Sequence, residues 1–421
     1  MLNYQIISDK VVSCLLITFI FLFPIYPIYK STNYVTFIDF ILFIYIIKII
    51  FIDKDITLLS YFKNKLFSTI ILFSSFLLLS FIWSNEHPLC FYGNSKHYIH
   101  IFLYFFIFPF LIFSLVSKKI DISILITSFL FAMFINELIS YSVHFGLWTT
   151  EFGTKFDPIP LHMHHITYST YAGLAVLLSV YRFIYIELFY KKTIYLIFLT
   201  SLTINLFLSA GRTGQFSLFL TSIILILIYF KGSIKKILLM FFTLLILFFT
   251  AYITLDTFHK RVNRAIYDTT SALNATNLDT SFGTRIAAFK ALPYLLEKEN
   301  FLFGVGVGDK PTYVKEKLEK DFPYQILAFN KYGYLHNSHI EIFISLGFFG
   351  LLLYFLIFYF TFTIKIEDKM IKYIAHTIAI YFIFIGLTTD LFYFYHITVL
   401  FASFLGIVVA QNYHESKKKC P

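Results

Sequence analysis

Charge is what this chain has least of. Asp, Glu, Lys and Arg make up 14% of its 421 residues, against roughly a quarter in a soluble domain. With 58% of residues hydrophobic, a water-soluble globule is excluded and a polytopic helical membrane protein is expected. Cysteine is nearly absent: Cys14, Cys90 and Cys420 are widely separated, so neither a disulfide framework nor a cysteine metal site is expected. Only Pro421 follows Cys420, which is not a prenylation box. No internal repeat or low-complexity tract is visible, and the first apolar run has no small-residue cleavage site, so it reads as a retained span. Aromatics are abundant instead, with 56 Phe and 31 Tyr, a load suited to lipid-facing surfaces and interfacial belts.

Apolar runs of spanning length fall near 11–29, 34–52, 67–84, 98–116, 122–143, 166–188, 193–209, 214–230, 237–255, 340–363, 372–389 and 391–410. Each is close to the roughly 20 residues that a bilayer crossing needs. With the N-terminus inside, cytoplasmic segments hold 19 Lys and Arg and the short outer loops hold 4. That asymmetry places both termini in the cytoplasm and absorbs most of the net charge of +10, leaving a nucleic-acid reading without support. The organisation expected is nine spans over 1–255, one long outer loop over 256–338, and three spans with a cytoplasmic tail over 339–421. A loop of that length is expected to be functional. Within it, Thr284 to Glu297 has helical spacing, with Ala287, Ala288, Ala291, Leu292 and Leu295 on one side. The run Phe303 to Gly308 reads as a structural turn, because it lacks the strand and helix that flank a dinucleotide fingerprint.

Several polar groups fall on the outer face. Arg212 lies in Ser209-Ala210-Gly211-Arg212-Thr213-Gly214, where an arginine is costly unless paired or facing water. The glycines permit close backbone approach to a ligand, and Thr213 adds a hydroxyl and an N–H at the start of the next helix, an arrangement that suits phosphate oxygens. The competing reading is a snorkelling interfacial arginine. Arg285 begins the helical stretch of the long loop and Lys290 follows it. His336 stands where the tenth span begins, with Asn337 or Ser338 as its N-cap. The positive end of that helix favours a neutral, proton-accepting imidazole and can hold an anion beside it. His339 either orients a ligand or packs. The outer loop 144–165 carries Trp148, Lys155, Asp157, His162, His164 and His165. Its H-x-H-H pattern is a weak metal signal, and neither metal nor cofactor is expected. Glu137, inside the fifth span, is functional or partnered by default, with Arg212 or a loop lysine as its candidate partner.

Three ordered blocks give the chain a family likeness: Ser209 to Gly214 as Ser-x-x-Arg-x-Gly; Arg285 followed by Gly304-Val305-Gly306; and His336-Asn337 followed by Gly347-Phe348-Phe349-Gly350. In these the chain resembles the O-antigen ligase and polysaccharide polymerase superfamily. Ser345 stands where that family often has Glu. Where some members use an arginine ahead of the sixth span, this chain offers Lys155 and histidines, His165 among them. The resemblance implies a GT-C-like, all-α membrane enzyme of the bacterial inner membrane. It implies glycan transfer from an undecaprenyl-pyrophosphate carrier to an acceptor hydroxyl at the periplasmic face, metal-independent and with inversion. His336 would then be the base, with Arg212 and Arg285 holding the pyrophosphate, and Asn337, His339, Thr213, Lys290, Lys155 and His165 lining the substrates. Modest length and a single dominant outer loop favour a ligase, with lipid A-core as acceptor, over a polymerase that extends a carrier-linked glycan. A transporter or lipid flippase predicts repeats and mid-membrane charges, which this sequence does not display.

Overall fold

Short polar side chains determine where several of the long apolar helices begin. In the computed structural model, Asn64 accepts from the Phe67 amide, Asp121 from Ser123, Asn337 from His339 and Ile340, and Asp368 from Ile371. Each satisfies amides that the first turn leaves without a partner. The structure describes Cys14 and residues 16–25, 62–84, 121–161, 163–274, 276–324, 326, 329 and 333–419. The expected spans 34–52 and 98–116 lie outside those residues, as do Cys90, His162 and Cys420, and the span 11–29 is described only in part, as a short helix Leu16–Ile25.

The helices are α1 (Lys65–Leu79, continued by a 3-10 turn Ser80–Ile82), α2 (Ile122–His144), α3 (His165–Tyr185), α4 (Phe189–Leu208), α5 (Arg212–Tyr229) and α6 (Ile234–Thr254). Three helices that are not among the apolar spans follow, α7 (Asp256–Leu273), α8 (Gly283–Leu295) and α9 (Lys310–Asp321), and then α10 (Ser338–Thr363), α11 (Lys369–Thr388) and α12 (Tyr395–Lys419). Among the described residues there is no β-sheet, only an isolated Thr154–Asp157 bridge, and 8 helices are long and apolar enough to cross a membrane. The chain is therefore an all-α, multi-pass membrane protein.

Helix α3 is not one of the eight, although its run was expected to span. It is the interior helix: Tyr168, Ser169, Thr170, Tyr171 and Ser179 are buried along it. A helix sheathed by protein is free of the apolar requirement that lipid imposes. Around it pack α4, α5, α11, α2 and α12. At the other extreme, only 6% of the α6 span is buried, as befits a lipid-facing helix. Contacts between helix ends tie distant parts of the chain together. Asn64, Asn412 and Lys365 meet at one end through Asn64 Nδ2 to Asn412 Oδ1 and Asn412 Nδ2 to Lys365 O, both 2.8 Å. Ser84 and Asp309 meet at the other, at 3.0 Å.

Helices α8 and α9 have a small core of their own. Ala287, Ala288, Ala291 and Leu295 of α8, on the side the spacing predicts, pack with Val314 and Leu318 of α9 and with Ile340 and Ile344 of α10. These two helices are thus welded to the first two turns of a long apolar helix.

That helix is broken. Gly347 has φ 64 and ψ −164, where one continuous span over 340–363 was expected. The break leaves peptide groups unpaired, and the turn 301–306 takes them up: Val305 N–H donates to Ile344 O (3.0 Å), Gly306 to Ser345 O (2.9 Å), Phe348 to Phe301 O (2.8 Å) and Phe349 to Leu302 O (3.2 Å). A Cβ on Gly304 would lie 2.4 Å from the Ser345 carbonyl, and one on Gly347 2.4 Å from the Leu302 carbonyl. Non-helical backbone at such a position is tolerated because protein covers and pairs it. The Gly-x-Gly turn and the Gly-x-x-Gly of the span are two sides of one interlock.

Candidate active site

His336 sits in the short segment that leads into α10, held from several directions. The carboxylate of Glu341, one turn into α10, accepts the Leu335 amide at 2.6 Å through Oε1 and the Lys310 ammonium through Oε2. Lys310 Nζ also donates to Gly333 O at 3.2 Å. Both members of this ion pair are buried, so each depends on the other to offset desolvation. From the far side, Tyr334 Oη meets Thr389 Oγ1 at 3.2 Å and accepts the Asp390 amide at 3.1 Å. Ser338 Oγ donates to Thr389 O at 2.9 Å and accepts from Leu391 N at 2.7 Å. Between these anchors His336 adopts φ 55, a left-handed conformation costing roughly 1–2 kcal/mol for a residue with a Cβ. Its ring lies edge-on to Tyr334, centroids 4.1 Å apart, and its Nδ1 is buried with no hydrogen-bond partner among the described residues. Burial, and then the positive charge of Arg285, push its pKa down to about 3. The imidazole is neutral at physiological pH, with a lone pair free.

Arg285 enters from the first turn of α8. Its Nε donates to Thr388 O at 2.7 Å and its Nη1 to Ser281 O and Oγ. Thr388 is the last residue of α11, and its carbonyl is among those a helix end leaves unpaired and negatively polarised. Nη2 has no partner among the described residues. Burial pulls the pKa of Arg285 down to about 10, opposed by Tyr334 and reinforced by Arg212. Arg212, the first residue of α5, makes a 3.2 Å ion pair through Nη1 with the buried carboxylate of Asp268 on α7. Its side chain remains 30% accessible. Arg212 therefore acts electrostatically on Arg285, and Arg285 on His336. The fields of Arg212, Arg261 and Arg285 all reach His165, whose ring lies tilted against that of His164 with centroids 4.0 Å apart.

The other expected site residues fare differently. Asn337 is buried and spends its side chain capping α10, with Nδ2 3.5 Å from Leu387 O. His339 packs between α10 and α11, with Nε2 3.1 Å from Ile383 O and its ring stacked on Phe355. Thr213 is buried at the start of α5. Lys290 lies over the Tyr324 ring, 5.7 Å from its centroid, and reaches Ala272 O at 3.5 Å. The Lys155 side chain is exposed, while its carbonyl meets His144 Nδ1 at 2.9 Å. The glycines beside Arg212 serve helix packing: a Cβ on Gly214 would lie 2.0 Å from the Ser169 carbonyl oxygen of α3. Glu137 is buried in α2 near Ser201 and Tyr141. Neither Arg212 nor a loop lysine pairs with it, and among the described residues its carboxylate has no ion pair. Asp268, Lys310 and Glu341 escape sequence reasoning, because their partners lie 56 and 31 positions away.

A sequence model of the O-antigen ligase family matches residues 194–355, from α4 through the break in α10. The matched stretch contains Arg212, Arg285, His336 and both halves of the glycine interlock. No curated protein matches the chain.

Proposed function

We propose that this chain is an O-antigen ligase: an inner-membrane glycosyltransferase that passes a glycan from undecaprenyl pyrophosphate to a hydroxyl of lipid A-core at the periplasmic face. The observation that carries the reading is the electrostatic succession from Arg212 to Arg285 to His336, within the stretch that matches the ligase family.

The chemistry follows from the charges. The acceptor oxygen attacks the anomeric carbon from the face opposite the carrier, its proton passes to the His336 imidazole, and the bond to the pyrophosphate oxygen breaks with inversion. The electron pair goes to the pyrophosphate, where the N–H groups left over on Arg212 and Arg285 stabilise it. A base acidified to about pKa 3 is weak in the empty site. A bound pyrophosphate offsets Arg285 and favours imidazolium, which raises the basicity of His336 once the donor is in place. Positioning and charge stabilisation suffice because the donor is already activated, and no cofactor enters the scheme.

A lipopolysaccharide gel of a deletion strain tests the reading. The expected pattern is core-only lipopolysaccharide with carrier-linked polymer retained. A core capped with a single repeat would instead identify a polymerase extending the carrier-linked chain, and an unchanged ladder would refute both.

A further inference from the structure

One guanidinium is left over by this scheme. Arg261 lies on α7, seven residues before Asp268 and so about two turns along the same face, and Asp268 is the partner of Arg212. Arg261 Nη1 is buried with no hydrogen-bond partner among the described residues. Nη2 makes only a long 3.5 Å contact with Phe156 O. The charge of Asp157 reaches it, but no ion pair joins them among the described residues, and Asp157 Oδ1 is taken by the Ala210 amide. A buried charged donor without an acceptor is costly, so this position calls for an anion or for water. Arg212 acts on Arg261 through space, and both act on His165 together with Arg285. Arg212–Asp268 is the only ion pair that any of these three arginines makes among the described residues.

We propose that Arg261 is the third anion-binding arginine of the site, and that with Arg212 and Arg285 it fits the site to a diphosphate ester in preference to a monophosphate. The inference rests on the ligase reading above. Two linked phosphates present more oxygens and more charge than one, and three forks with free N–H groups match the larger anion. Arg261 is a binding residue in this account, with no part in proton transfer. The competing role is a pin for the α2–α3 loop through Phe156 O and the field of Asp157.

Binding separates the two. Full-length protein in nanodiscs is titrated with undecaprenyl pyrophosphate and, separately, with undecaprenyl monophosphate, for the wild type, Arg261→Gln and Arg261→Lys. Wild type should prefer the diphosphate. Arg261→Gln should weaken diphosphate binding by about tenfold, the scale of one charge-assisted hydrogen bond, and change monophosphate binding less than twofold. Arg261→Lys keeps the charge without the fork and should fall between, which guards against misfolding of the glutamine variant. Equal weakening of both lipids, or of neither, would reduce Arg261 to a loop pin and leave the ligase reading standing. Wild-type protein indifferent to the second phosphate would overturn this inference and its parent together.

Discussion

The two sides of the site are built on opposite principles. Around His336, nearly every polar group is spent on a neighbour: Leu335 N on Glu341, Gly333 O on Lys310, Tyr334 Oη on Thr389 and Asp390, and Ser338 Oγ on Thr389 and Leu391. Around the arginines, donors are left unspent on Arg212, Arg261 and Arg285. A base has to be placed to within a fraction of an ångström before the substrate arrives. An anion-holder has to keep N–H groups free for a ligand. The contrast predicts that the first side breaks as stability and the second as turnover.

The largest effect is expected from Glu341→Leu, which removes the carboxylate paired with the buried Lys310 ammonium. Such a loss costs about 3–5 kcal/mol, read as a fall in thermal stability in nanodiscs. Adding Lys310→Met to the same chain should recover most of it, since replacing both partners avoids the uncompensated charge. A single variant as stable as wild type would show that the ion pair does not hold the segment. On the other side, Arg212→Lys keeps the charge and loses the planar fork. Transfer should drop by about a hundredfold, while stability changes by no more than about 1 kcal/mol, because the pair with Asp268 is partly exposed. Wild-type turnover would return Arg212 to the role of a snorkelling interfacial arginine.

The smallest effect expected is a flat line. An imidazole with an ordinary pKa of about 6.5 is held at about 3 here. The base form of His336 is therefore constant between about pH 5 and 8, and kcat/KM, which reports the free enzyme, should show no inflection near 6.5 from this group. The stability consequence has a definite sign. The unfolded chain takes up a proton that the folded one refuses, so His336 supports the fold above about pH 6.5. That support is lost as the pH falls from there towards 3. An inflection of kcat/KM near 6.5 that disappears in His336→Asn would contradict the buried, neutral state.

How much of this could be read in the sequence follows the same division. Eight of the span positions, Asn337 as the cap and the apolar side of α8 come from hydropathy, periodicity and short motifs. Those signals are local or carried by family order. The break at Gly347 was invisible because an apolar run reads as an unbroken helix, and the partner turn at 301–306 lies some forty positions away. The same distance hides Lys310–Glu341 and Arg212–Asp268. Gly211 and Gly214 suggested ligand approach, when the backbone they admit is that of α3. Asn337 looked like a ligand contact because it adjoins His336, yet its side chain is committed to capping α10. His339 packs between α10 and α11 through Nε2 and leaves its buried Nδ1 without a partner among the described residues.

The central claim is that His336 takes the acceptor proton beside an arginine-held pyrophosphate. Its most direct test is glycan transfer by purified His336→Asn, because asparagine tolerates the left-handed backbone at this position and removes the base. Donor binding is measured on the same sample. The account predicts that transfer falls about 10²–10⁴-fold, with binding of the carrier-linked donor unchanged within about twofold, since the arginines that hold it are untouched. Transfer within a few-fold of wild type, with donor binding intact, would remove His336 from the mechanism.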